Sequence, residues 1–213
     1  MQRNTWLKAG LVALLIVGVP WLFLRTVQNT IAEPYVIDDA SLSGWTLALA
    51  EMPQPSHALI ALQPPGGLVP DLFQQIFHRT MESMTTPGRP AMPVVLQSEF
   101  VTALREVLSP EEILEAARQS GLEEARFDPV CMAVKRRPAA GRTRQLYFVV
   151  FEAPAFLRFR QALQRLYVGG GGAESFDPAG LELVLQVASS DADFAGWWPL
   201  DVDRTIDCRA PLT

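Results

Sequence analysis

Cys131 and Cys208 are the only cysteines in the chain. Neither stands in a CxxC pair or beside a histidine, so a redox or metal role lacks its partners. In a domain exposed to an oxidising compartment, two such cysteines read as a disulfide, the other arrangement being two buried thiols. Strand alternation points Cys131 away from Val130 and Met132, so a bond to Cys208 draws the C-terminal tail across one face of a sheet.

Other chemistry-bearing residues are sparse. The two histidines are His57 and His78, and neither lies in an HExxH or HxH setting. His78 and Glu82 are four apart, the spacing of a surface pair on a helix. No Gly-x-Ser-x-Gly or Ser-x-x-Lys occurs. Gly169 to Gly172 follows a predicted helix instead of preceding one, so it reads as a connection and not a phosphate loop. Asp191-x-Asp193-x-x-Gly196 opens like a calcium loop. Its fifth and twelfth places, which require oxygen ligands, hold Ala195 and Val202. No metal and no cofactor is expected. Trp197-Trp198-Pro199 can contact a sugar or a peptide, or can cover an open sheet face, which adjacent tryptophans suit better.

Charge is uneven in one place. Lys135, Arg136, Arg137, Arg142, Arg144, Arg158, Arg160 and Arg165 face a single acid, Glu152, between positions 135 and 165. A hairpin tip and helix sharing that charge suit an anionic envelope component or an acidic partner protein, with the first seven as the binding residues. A solvated hairpin and helix face is the other reading. Carboxylates such as Glu99, Asp128 or Glu152 in a cleft would instead serve an enzyme or a small-ligand-binding domain.

Composition narrows these choices. Of 213 residues, 49% are hydrophobic and 19% charged, which excludes a disordered polyelectrolyte. With 18 basic against 23 acidic residues the chain is mildly acidic, which disfavours nucleic acid as a partner.

Ala9 to Leu24 holds no charge and is flanked by Lys8 and Arg25, with Trp6 and Trp21 near its ends. The run predicts a membrane span over residues 5–27, its flanking cations snorkelling outward. The positive-inside rule keeps the N-terminus cytoplasmic and places the remainder outside an inner membrane, in the periplasm or beyond. A cleavable signal peptide ending at Thr30-Ile31-Ala32 is the competing reading.

Beyond it, Trp45, Leu47 and Leu49 alternate, and a second apolar run covers residues 57–63. Leu72, Phe73, Ile76, Phe77, Met81 and Met84 draw a helical stripe. After a strand at 94–97, Phe100 to Leu108 forms a helix face. Ser109-Pro110-Glu111-Glu112 opens another helix as a capping box, and Gly121 closes it. Two strands follow at Val130 to Val134 and Leu146 to Phe151, then a helix after Pro154 and a last strand at 181–187.

The predicted fold class is α+β: a transmembrane helix, then a ferredoxin-like domain of βαββαβ order with an N-terminal ββα elaboration. The expected divisions are 1–28 (N-terminus and anchor), 29–43 (linker) and 44–213 (exported domain). The last divides into 44–92 (elaboration), 93–190 (core) and 191–213 (tail). In order of elements alone this resembles single-pass components of secretion and pilus-assembly machines, without the coiled coil those proteins carry between span and domain. The expectation is a membrane-anchored, non-enzymatic interaction domain of the bacterial envelope. An exported enzyme or small-ligand binder using carboxylates in a cleft is the alternative.

Overall fold

The computed structural model describes residues 18, 21, 33–50, 57–139, 141–172 and 176–213. The chain forms two compact units, Met1–Pro34 and Tyr35–Thr213, and the fold set out below is that of the second.

Two antiparallel sheets organise it. The first has order β1-β2-β3, from β1 (Thr46–Leu49), β2 (Ala58–Gln63) and β3 (Met92–Leu96). The second has order β6-β5-β4-β7, from β4 (Asp128–Ala139), β5 (Arg142–Glu152), β6 (Leu183–Ser189) and β7 (Cys208–Ala210). Helix α1 (Leu68–Thr80) joins β2 to β3, α2 (Gln97–Thr102) and α3 (Pro110–Gln119) lead into β4, α4 (Pro154–Gly169) joins β5 to β6, and the short α5 (Arg204–Asp207) precedes β7.

Local chemistry accounts for several boundaries. At α3, Ser109 Oγ accepts the Glu112 N–H at 3.2 Å while Glu112 Oε2 accepts the Ser109 N–H at 2.7 Å, and Pro110 occupies the first turn. Gly121, at φ +70°, then turns the chain out of the helix in a conformation that only glycine adopts freely. Helix α1 is shorter than its apolar stripe suggests. Thr80 Oγ1 donates to the Ile76 carbonyl, and Met81 takes the left-handed conformation at φ 54° with its side chain 73% exposed.

Alternation along the second sheet divides the core. Met132, Val134, Tyr147, Val149, Phe151, Leu183, Leu185 and Val187 face the main core, which also holds Trp45, Phe127, Phe159 and Leu163. Cys131, Ala133, Leu146, Phe148, Val150 and Val184 face the other way, where Phe194 and Trp197 cover them. The C-terminal tail is therefore a second layer on the sheet. Disulfide Cys131–Cys208, with Cα atoms 5.6 Å apart, fastens it.

The ferredoxin-like order is corrected. That topology places β3 between β5 and β6, with β5 and β6 parallel. Here β5 and β6 pair directly and antiparallel, with Phe151 opposite Leu183. The reason is the return path: Phe176 to Pro178 lie back beside α4, their carbonyls bonded by Gln164 and Arg160, so β6 starts where β5 ended. β3 instead pairs with β2, Ala61 lying opposite Pro93, and β7 takes the free edge of β4.

The membrane reading is also corrected. Among the described residues no helix is long and apolar enough to cross a membrane. The span expected over residues 5–27 falls outside the described residues apart from Gly18 and Trp21. The single-pass topology, the signal anchor, the periplasmic placement and the membrane as partner are accordingly set aside.

Candidate ligand-binding cleft

The basic residues singled out in the sequence do not assemble into one surface. Lys135 Nζ donates to Asp207 Oδ2 at 2.8 Å and to the Asp201 carbonyl at 2.7 Å. Arg136 Nε donates to Gln145 Oε1 at 3.3 Å. Arg137 donates to the carbonyls of Gly196 and Trp197, and its guanidinium lies 4.7 Å from the Trp197 ring centre. Arg144, opposite Arg137 in the ladder, pairs with Asp191 and Asp193. Arg160 is buried, whereas Arg142 and Arg158 are exposed. The acidic tail is consumed in the same bonds. Asp193 also accepts the Gly196 N–H, and Asp203 caps α5 through the Thr205 N–H. An envelope adaptor anchored by a span is thus overturned: the described residues hold no helix long and apolar enough to cross a membrane.

Of the three carboxylates considered for a cleft, the fold places Glu152 in one. Glu99 is instead the partner of buried Arg160, and Asp128 meets Arg126 at the surface. The Glu152 cleft has a volume of about 420 Å³, within the range of small-molecule sites. Its walls come from four segments. The end of β5 supplies Phe151 and Glu152, the start of α4 supplies Pro154, Phe156 and Leu157, the return loop supplies Pro178, Ala179, Leu181 and Glu182, and α5 supplies Arg204.

Each wall has an identifiable support. Ala153 is extended and Pro154 sits in the first turn of α4, so the chain leaves the strand and enters the helix over one residue. No side chain caps that helix start. In the return loop, Asp177 Oδ1 accepts the Ala179 N–H at 2.9 Å, an Asx turn that shapes the tip. The loop is then held from beneath. Arg160 donates to the Asp177 carbonyl at 2.7 Å and the Pro178 carbonyl at 3.2 Å, and stacks 4.5 Å from the Phe176 ring centre. Its other bonds run to the Val94 carbonyl in β3 at 3.4 Å and to Glu99, bidentate at 2.6 and 3.0 Å, which ties the loop to β3 and α2.

Arg204 closes the mouth. Its Nη1 donates to Glu152 Oε1, and its Nη2 donates to Glu182 Oε2 at 2.8 Å. Bonds to Glu182 and then Glu152 hold this guanidinium above its ordinary pKa, against the opposing effect of burial. Both acids are half open to solvent, Glu152 at 58% and Glu182 at 40% exposure. Glu182 and Arg204 escaped the sequence reading. Glu182 precedes an alternating strand in a loop with no motif, and Arg204 belongs to a tail whose position depends on the disulfide.

No protein-family model, no curated protein and no solved structure matches this chain. The class that the fold and site define is an α+β domain with antiparallel sheets and a cleft at the strand–helix junction after β5.

Proposed function

We propose that this chain is a small-ligand-binding domain and that its ligand seats in the cleft between the β5–α4 junction and the return loop. The observation that carries the reading is the composition of that cleft. Phe151, Phe156, Leu157, Leu181 and Leu183 give it apolar walls, while its polar side chains, Glu152, Glu182 and Arg204, converge at one side. Small-molecule sites have this character: an apolar body that takes up the ligand's surface and a few charged groups that orient it.

The test uses a simple apolar probe. Titration of the full chain with 1-hexanol, followed by methyl NMR, gives saturable shifts at Leu157, Leu181 and Leu183. The exposed Ala179 replaced by tryptophan (A179W) fills the mouth and removes them. Shifts spread evenly over surface methyls, or unaffected by A179W, would dismiss the cleft as a binding site.

A further inference from the structure

We infer that the ligand is an organic cation with an apolar body, such as a primary amine, and that Glu152 and Glu182 read its charge. This rests on the cleft being the binding site. The cleft lining holds two carboxylates and one guanidinium, so its charged side is net negative with Arg204 fully ionised. Arg204 engages one oxygen of each acid, Oε1 of Glu152 and Oε2 of Glu182. The second oxygen of each lies outside those bonds, free to accept from an ammonium N–H.

The surroundings strengthen the same sign. Asp128 stands opposite Glu152 in the β4–β5 ladder, on the same face. Its carboxylate shares Arg126 with Asp39, so two guanidinium groups serve four carboxylates at this end of the sheet. An anionic ligand would meet this excess as repulsion. A cation adds a partner and displaces none. The apolar walls then take up the remainder of the molecule, which excludes a bare metal ion or ammonium as the preferred occupant.

Three probes of equal chain length separate the terms: hexylammonium, 1-hexanol and hexanoate, titrated into the full chain and read at the Leu157, Leu181 and Leu183 methyls. Hexylammonium is expected to bind about fivefold tighter than 1-hexanol, the gain of one partly exposed ion pair, with hexanoate the weakest. The double variant Glu152→Gln, Glu182→Gln leaves Arg204 as the one charge in the cleft lining, so hexylammonium is expected to lose its advantage over 1-hexanol and hexanoate to become the tighter of the two ions. Added salt weakens hexylammonium alone. Equal binding of all three probes overturns the cation assignment while the cleft stands. Shifts at these methyls with none of the probes take down the cleft and the assignment together.

Discussion

Arg160 Nη2 donates to Glu99 Oε1 across 2.6 Å, and the Arg160 side chain is wholly buried. The pair joins α2 to α4, and the remaining donors of the same guanidinium hold the carbonyls of Asp177 and Pro178 in the cleft wall. A stability element and a site element therefore share one side chain. Removal of the acid leaves a buried cation without its counter-charge, which costs far more than the pair contributes against an apolar substitute.

Glu99→Ala is expected to lower stability by about 3 kcal/mol, the low end for breaking a buried pair because Glu99 keeps some solvent contact. Urea denaturation gives the number. The same variant loosens the return loop, so 1-hexanol binding at the cleft weakens under native conditions. A loss below about 0.5 kcal/mol would mean that the carbonyls alone satisfy Arg160.

The Cys131–Cys208 disulfide spans 77 positions. On the chain-entropy account, opening a loop of that length costs about 4.5 kcal/mol. The double variant Cys131→Ala, Cys208→Ala is expected to show that loss in denaturant. Cleft binding should fall as well, because Arg204 lies four positions before Cys208 in the segment that the bond fastens. Unchanged probe affinity in the double variant would show that α5 is held by the Asp207–Lys135 pair without the disulfide.

Tyr147 gives an alkaline signature. Burial, with smaller contributions from Glu82 and Tyr35, pushes its phenol up to about 12, opposed by Arg136. In the unfolded chain the phenol ionises near its ordinary value of about 10. Between those values the unfolded state releases the proton and the folded state keeps it, so stability is complete below pH 10 and falls as pH rises toward 12. Stability measured against pH should show that decline, and Tyr147→Phe should reduce it.

Asp191 gives the acid counterpart. Burial raises its carboxyl pKa, but hydrogen bonds from Ser189 and Arg144 and from the Asp193 N–H, with the charge of Arg144, leave it below the ordinary carboxylate value. A depressed folded value contributes stability above the unfolded pKa of about 3.9, and that contribution is lost as pH falls through the folded value. Asp191→Asn is expected to be less stable at neutral pH and to lose less on acidification. Equal slopes for the two proteins below pH 4 would remove Asp191 from the account.

Local features were readable from the residues themselves. The Ser109-Pro110-x-Glu112 box and Gly121 bound α3 because capping depends on groups within one turn. The alternation of Val130 to Val134 specified β4 and its two faces, because side chains of a strand point alternately to opposite sides, and the continuous apolar run Leu146 to Phe151 specified β5 as a buried strand. That alternation also set the face on which Cys131 meets Cys208.

Pairing partners were not local in this sense. The direction of β6 depends on how Phe176 to Pro178 dock back against α4, and the partner of β3 depends on which sheet edge it meets. The same strand order in sequence is compatible with several sheets. The cleft shows this most plainly. Glu152 could be noticed after a buried strand, but Arg204 lies 52 positions away and Glu182 lies 22 positions before Arg204. The sequence determined the strands, the caps and the cysteine pair, since each arises from neighbouring residues or from a single covalent bond. Tertiary structure alone decided which carboxylates share a guanidinium, because that depends on the packed positions of three segments brought together by a tail, a sheet and a buried arginine.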